Sequence, residues 1–187
     1  MKPQDKSSSN DTIADPAITL VDFGNEIMKV IARYEGQDRV IVPLLEVMDM
    51  LLESGTLLLL EDKFDFPPMV RFVQRQTIRC KDARKLSACV RVFCGLCGLG
   101  GKIKKAILLE LLRLLLHSYP KIRRATADSM YMMLSSSADV DESSLESQQV
   151  DEILTSTDWN LPVAKLTPIR DQLYPLLKLQ KPAVKRP

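Results

Sequence analysis

Apolar and polar residues alternate along the chain with helical spacing, most clearly between Lys102 and Ser137. Residues 103–117 are apolar on nearly every side, which is typical of a helix buried between neighbours. Pro120 can begin a second helix, because its fixed φ and missing N–H are harmless in a first turn. The pattern turns Ile122, Ala125, Met130, Met133 and Leu134 inward, and Lys121, Arg124 and Asp128 outward. The two helices form an αα-hairpin that cannot bury its apolar surface alone, so we expect stacked neighbours.

Similar helix pairs are predicted near residues 19–53 and 67–97, with a less regular pair at 145–179. Asp15-Pro16, Asp38 and Asp82 are predicted to cap the first, second and fourth helices, and Pro67-Pro68 is predicted to begin the third. Pro43 is predicted to lie in the first turn of the second helix, where a proline costs little. Glycines 36 and 55 supply stops. The second helices begin at residues 38, 82 and 120, which gives spacings of 44 and 38. HEAT-type repeats run at about 40–47 residues, so the sequence predicts an all-α protein of HEAT-like antiparallel helix pairs stacked as a short α-solenoid.

The two ends and the C-terminal region are less regular. Residues 1–14 are predicted to be disordered, residues 15–179 to form the helical domain, and residues 180–187 to form a flexible tail. Residues 138–144 read as a polar loop, in which Ser143 has capping-box spacing to Glu146 before a helix that begins near Leu145. Trp159 is predicted to be a hydrophobic anchor. Thr167-Pro168 is a predicted break in a proline-rich last helix.

Composition is that of a soluble globular protein, with 45% hydrophobic and 27% charged residues. No apolar run approaches the ~20 residues that cross a bilayer, and the first residues lack the apolar core of a signal peptide. We therefore expect no membrane association and a cytoplasmic location.

Charge is distributed unevenly. Residues 1–66 carry 6 basic and 13 acidic groups, whereas residues 67–124 carry 14 basic and 2 acidic groups. A basic middle segment indicates a surface for an acidic partner, and pairing with the chain's own acidic segments is the open alternative. The candidate partner-binding residues are Arg71, Arg75, Arg79, Lys81, Arg84, Lys85 and Arg91. The first three have spacings of i, i+4 and i+8, which place them on one outer edge of a helix.

The candidate chemical motifs do not support catalysis or a cofactor. Cys94 and Cys97 have C-x-x-C spacing, but they lie near a helix end with no strand before it, so buried structural thiols are favoured over a redox or zinc role. The glycines before Lys102 do not match a P-loop, because Ile103 stands where the magnesium-binding hydroxyl residue is required. His117, the only histidine, is predicted to complement a helix C-terminus. We expect no catalytic, cofactor or metal residues.

Four runs together resemble a known family, the C-terminal domain of tubulin-folding cofactor D. They are DRVIVPLLEVMDMLLESG (38–55), KDARKLSACVRVFCGLCGL (81–99), LLELLRLLLHSYPKIRRATADSMYMML (108–134) and VDEILTSTDWNLPVAKLTPIRDQLYPLL (150–177). The resemblance covers roughly residues 16–180, in order. Its most specific parts are YPKIRRATA, from Tyr119, and LTSTDW, from Leu154.

The resemblance implies a non-enzymatic, chaperone-type scaffold with an armadillo-type fold that acts in tubulin folding. The implied partners are β-tubulin, other tubulin-folding cofactors and an Arf-like GTPase, whose GTP hydrolysis the family helps to activate without a nucleotide site of its own. It also implies association with the microtubule cytoskeleton. The alternative from the residues alone is a basic helical scaffold associated with nucleic acid. The absence of a nucleic-acid-reading motif in residues 67–124 disfavours it.

Overall fold

The computed structural model describes residues 19–136 and 145–182, and this part of the chain is built from α-helices joined by short connections. The helices are α1 (Leu20–Tyr34), α2 (Asp38–Glu53), α3 (Phe66–Thr77), α4 (Ala83–Leu96), α5 (Gly101–Leu114), α6 (Pro120–Ser135), α7 (Leu145–Ser156), α8 (Val163–Asp171) and α9 (Leu173–Leu176). Single 3-10 turns at Leu58–Leu60 and Cys97–Leu99 precede α3 and α5. None of the described helices is long and apolar enough to span a membrane.

The helices pack as pairs in two layers. The second helices α2, α4 and α6 are successive neighbours in one layer, and α7 continues it against α6. In the other layer α3 packs beside α5, while α1, α3 and α5 each contact the second helix of their own pair. The predicted all-α, short solenoid of stacked helix pairs is confirmed.

Helix α4 lies at the centre of this arrangement, since it contacts α2, α3, α5 and α6. Its apolar residues at helical spacing, Leu86, Cys89, Val90 and Phe93, are at most 1% exposed, and Cys97 just after it is 3% exposed. The apolar stripe of α3, Met69, Phe72 and Val73, is fully buried as well. Helical periodicity was therefore sufficient to identify the central core.

Local signals fix most helix ends as predicted. Asp82 caps α4, where its Oδ1 accepts hydrogen bonds from the amides of Arg84 and Lys85 at 2.8 and 3.3 Å. Gly36 and Gly55 follow α1 and α2 with φ of 86° and 74°, a conformation that glycine adopts at little cost. The start of α1 carries a reciprocal capping box between Thr19 and Asp22.

Two predictions in α2 are wrong. Asp38 is the first residue of α2, not its cap. The cap is Gln37, because its carbonyl already accepts hydrogen bonds from the amides of Val40 and Ile41. Pro43 consequently lies inside α2 rather than in its first turn, on the exposed side.

The proline-rich last helix is broken, but not at Thr167-Pro168. Pro168 lies inside α8, and the break falls at Gln172, between α8 and α9. Pro175 explains this position, because it has no amide to bond the carbonyl of Asp171 and its ring would clash with that carbonyl.

The disordered segment predicted at 1–14, the Asp15-Pro16 cap, the loop at 138–144 with Ser143, and residues 183–187 of the predicted tail lie outside the described residues.

Candidate functional site

The predicted basic residues occupy two places rather than one continuous edge. Arg71 and Arg75 lie on the exposed side of α3, and Arg79 and Lys81 lie in the connection to α4. The other three, Arg84, Lys85 and Arg91, belong to α4. The two groups differ in their partners.

The three basic residues of α4 pair with acidic residues of α2. Lys85 Nζ lies 2.6 Å from Asp38 Oδ1, and Arg91 Nε lies 2.6 Å from Asp49 Oδ2. Arg84 donates two hydrogen bonds to Glu46, from Nε to Oε1 at 3.0 Å and from Nη2 to Oε2 at 3.1 Å. The Lys85 side chain is only 9% exposed. This α2–α4 ion-pair ladder joins the acidic first third of the chain to its basic middle, which is the internal pairing that the sequence left open.

Three of the basic residues in α3 and the connection after it, Arg71, Arg75 and Arg79, line an open groove between the C-terminal end of α3 and α5. Its volume is about 570 Å³, and we call it the basic groove. It is lined by Arg71, Gln74, Arg75, Ile78, Arg79, Glu110 and Arg113. Arg75 pairs with Glu35 at 2.8 Å, whereas Arg71, Arg79 and Lys81 form no ion pair with any residue of 19–136 or 145–182. The structure brings Arg71, Arg75 and Arg79 to the same groove, but the prediction that all three lie on one edge of a helix is wrong for Arg79, because α3 ends at Thr77 and Arg79 lies in the connection with φ of 53°.

Arg113 was not predicted as part of this site. Its Nη2 donates to Thr77 Oγ1 at 2.6 Å, and its Nε donates to Glu110 Oε2 at 2.8 Å. The bond to Thr77 holds the α5 wall of the groove against the end of α3, and the bond to Glu110, within α5, orients the Arg113 guanidinium. The sequence signal was the shared stripe of residues 110, 113 and 117 on an otherwise apolar helix.

The turn after α3 fixes the far end of the groove. Arg79 has φ of 53°, in the left-handed region that residues other than glycine rarely adopt. Ile78, just before it, is 62% exposed. The groove therefore presents one exposed apolar side chain among its arginines.

Three of the four cysteines, Cys89, Cys94 and Cys97, have the properties of structural thiols. All four are free, and burial raises the pKa of Cys89 and of Cys97 to about 12. Burial also strongly raises the pKa of the Cys94 thiol. Thiols with such pKa values are not ionised at neutral pH and are poor nucleophiles. No group of three or more His, Cys, Asp or Glu side chains in the described ranges is arranged to hold a metal ion.

His117 differs from its predicted role as a partner of a helix C-terminus. Burial lowers the pKa of its imidazole, and the neighbouring charges of Arg113 and Arg123 lower it further. Its Nδ1 accepts a hydrogen bond from the amide of Tyr119 at 3.1 Å. The ring is therefore neutral at pH 7 and serves as an acceptor just before α6.

Arg123, which the sequence analysis left unassigned, is the most buried guanidinium among the described basic residues. It is 3% exposed, and no carboxylate of the described residues pairs with it. It donates instead to four carbonyl oxygens, those of His117 at 2.7 Å, Ser118 at 3.2 Å, Trp159 at 2.8 Å and Leu161 at 3.0 Å. Its position four residues before buried Ala127 and seven before buried Met130 could have placed it on the inner face of α6.

Part of the chain is similar to a known family. Residues 8–85 match the family model described as tubulin folding cofactor D C terminal. The matched segment is less than half of the chain, ends in the first turn of α4, and includes the predicted basic residues from Arg71 to Lys85. No solved structure matches the chain.

Proposed function

From the match of residues 8–85 to the family model described as tubulin folding cofactor D C terminal, we propose that this chain belongs to that family and is a non-enzymatic scaffold in tubulin folding. Its partners in this proposal are β-tubulin and other tubulin-folding cofactors, with an Arf-like GTPase whose activation it assists. The proposed location is the cytoplasm, at the microtubule cytoskeleton.

The proposed mechanism is presentation of a surface by a stiff stack of helices. Helices α2, α4 and α6 form a packed layer with a core of fully buried side chains, so the positions of exposed residues on the stack are fixed. A preorganised surface loses less conformational entropy when it binds a partner. A chain of this kind assists GTP hydrolysis by positioning partners, without contributing a nucleotide site.

The basic groove is the observation that carries the proposal. Arg71, Arg79 and Lys81 are exposed and form no ion pair within the described residues, so their charges are available to an acidic partner surface. Arg75 lies among them, with half of its side chain exposed beside Glu35. We therefore propose these four residues as the docking contact. Binding through Arg84, Lys85 or Arg91 would first require breaking the α2–α4 ion-pair ladder.

Co-elution with αβ-tubulin tests the proposal. The purified chain is mixed with αβ-tubulin and separated by size exclusion with light scattering, at about 50 and about 200 mM salt. We expect a complex that weakens at the higher salt, since screening reduces attraction between exposed charges. Absence of a complex at both salt concentrations would overturn the scaffold proposal for this chain.

A triple charge reversal tests the basic groove itself. Arg71→Glu, Arg75→Glu and Arg79→Glu together should weaken the complex by at least about tenfold and flatten its salt dependence. The matched control reverses three exposed lysines outside the groove, Lys102, Lys105 and Lys121, and should change affinity by less than about threefold. Equal losses in both variants would mean that net charge, rather than the groove, controls binding. Tight, salt-sensitive binding of an oligonucleotide in place of tubulin would favour the nucleic-acid alternative.

A further inference from the structure

A second groove lies on the layer formed by α2, α4 and α6, away from the basic groove. Its volume is about 570 Å³. Asp49 and Glu53 of α2 line one side, and Asp128 and Met132 of α6 line the other. Helix α4 lies between them, since it contacts both. We call this the methionine groove.

The groove exists because α4 carries small residues where it passes between its neighbours. Cys94 and Gly95 are the α4 residues at this point, together with the side chain of Arg91. A Cβ atom on Gly95 would lie 2.7 Å from Leu52 Cβ, so α2 packs directly against the glycine backbone. A helix whose side chains are this small leaves a channel between the two helices beside it.

The lining combines adaptable apolar side chains with neutral small ones. Met132 is 66% exposed at the edge of the groove, and Met133 lines it from the same helix. The Cys94 thiol is neutral, because burial raises its pKa. Methionine is flexible and polarisable, and exposed methionines occur at surfaces that bind apolar segments of other proteins. The lining therefore suits an apolar side-chain stripe.

The rim of the groove is negatively charged. Glu53 and Asp128 are exposed and form no ion pair with the residues described at 19–136 and 145–182. The one cation of the lining, Arg91, is already neutralised by Asp49 at 2.6 Å. A partner with basic groups beside its apolar stripe would complement this rim.

We propose that the methionine groove binds an amphipathic helix of a protein partner, with apolar residues on one face and lysines or arginines along its edges. A channel between two parallel walls fits the side chains that a helix presents at i, i+3, i+4 and i+7. An acidic segment, an anionic membrane surface and a nucleic acid would each be repelled by Glu53 and Asp128. Since the basic groove lies on the other layer and has the opposite charge, the chain can hold an acidic and a basic partner together.

Binding of two synthetic peptides of about 18 residues tests this proposal. They share one amphipathic leucine pattern, and their polar positions are all lysine in one peptide and all glutamate in the other. Fluorescence anisotropy of each labelled peptide is measured with the full chain. We expect the lysine peptide to bind and the glutamate peptide not to bind. Equal binding of both peptides, or no binding of the lysine peptide, would overturn the proposal.

Matched methionine variants separate the groove from exposed apolar surface in general. Met132→Asp should weaken lysine-peptide binding by at least about tenfold, because it places a charge in the apolar part of the groove. Met50→Asp is the control, since Met50 is 67% exposed on α2 but does not line the groove, and it should change binding by less than about twofold. Both side chains are exposed, so both variants should fold. Equal effects of the two substitutions would overturn the assignment to the groove.

Rim variants and a self-association measurement complete the test. Glu53→Lys with Asp128→Lys should reduce lysine-peptide affinity, whereas Glu61→Lys with Asp62→Lys, on the exposed connection before α3, should not. Dimerisation of the free chain that Met132→Asp abolishes would assign the groove to a second copy and overturn the proposed occupant. Tubulin co-elution should be unchanged in the Met132 variant, so that the two proposals can fail separately.

Discussion

Arg123 shows how much a single buried cation can organise in this protein. Its guanidinium donates hydrogen bonds to carbonyl oxygens in two connections of the chain. His117 and Ser118 lie just before α6, and Trp159 and Leu161 lie just after α7. Carbonyls in such connections have no helical partner and cost free energy if they are buried unpaired. The residue therefore ties the C-terminal helices to the α5–α6 hairpin.

Replacing Arg123 should destabilise the protein substantially. We expect Arg123→Ala to lower the free energy of unfolding by about 3 kcal/mol, since it removes the donor from one buried and three partly buried carbonyl hydrogen bonds. The neighbouring Arg124 is exposed, and Arg124→Ala should change stability by no more than about 0.5 kcal/mol. Urea denaturation followed by circular dichroism compares the two variants. A similar, small effect of both would show that water satisfies those carbonyls equally well.

At the scale of helices, α2 packs directly against the backbone of α4 at Gly95. Gly95 permits it, because any side chain there would meet Leu52 Cβ at 2.7 Å. The ladder formed by Lys85, Arg84 and Arg91 with acids of α2 lies along the same pair of helices. Apolar packing sets the distance between the helices, and the ion pairs, most of them partly exposed, add less.

A methyl group at Gly95 should force these two helices apart. We expect Gly95→Ala to cost about 1–3 kcal/mol in unfolding free energy, even though alanine favours helices, because Leu52 Cβ can move only with its backbone. Gly98→Ala is the matched control. Its Cβ would meet the terminal Cδ1 of Leu58 at 2.9 Å, and that methyl group can rotate away. Thermal unfolding of both variants checks the difference, and a stabilised Gly95→Ala protein would contradict the packing argument.

The helices themselves could be predicted because their signals are local. Buried residues recur at helical spacing in α3 and α4, and Asp82 caps α4 within three residues of its partners. The partners of the basic residues could not be predicted, because Lys85 and Asp38 are 47 positions apart and Arg91 and Asp49 are 42 apart. Composition indicated a basic middle segment. Only the packing of α2 on α4 shows which basic residues form ion pairs within the chain and which line the basic groove.

At the scale of the whole molecule, the C-terminal helices form a unit whose attachment can be followed separately. Trp159, the only tryptophan of the chain, is 4% exposed and donates from Nε1 to the carbonyl of Leu154 at 3.0 Å. Its own carbonyl is bound by Arg123. Tryptophan fluorescence therefore reports on α7 and its contact with α6, whereas circular dichroism reports on all of the helices.

These two signals should coincide in the unaltered protein and separate when the attachment is weakened. We expect equal urea midpoints by fluorescence and circular dichroism, as in two-state unfolding. In Arg123→Ala the fluorescence transition should come first, since the C-terminal helices lose one of their polar links to the hairpin and keep that of Arg170 Nη1 to the Leu112 carbonyl at 3.0 Å. Two separate transitions in the unaltered protein would show that the C-terminal helices unfold independently. Coincident transitions in the variant would show that α7–α9 remain coupled through their other contacts with the hairpin.

The central position of α4 also has a consequence for how the chain folds. Two of its partners, α3 and α5, are its neighbours in sequence, so these contacts close short loops at a small entropic cost. Contacts of this kind form early, and we expect α3, α4 and α5 to be structured in the folding transition state, with α1 and α9 added later. Substitutions in the core of α4 would then slow folding, whereas substitutions at the ends of the stack would mainly speed unfolding. The helix that joins the two layers in the native state is the one around which the chain can first assemble.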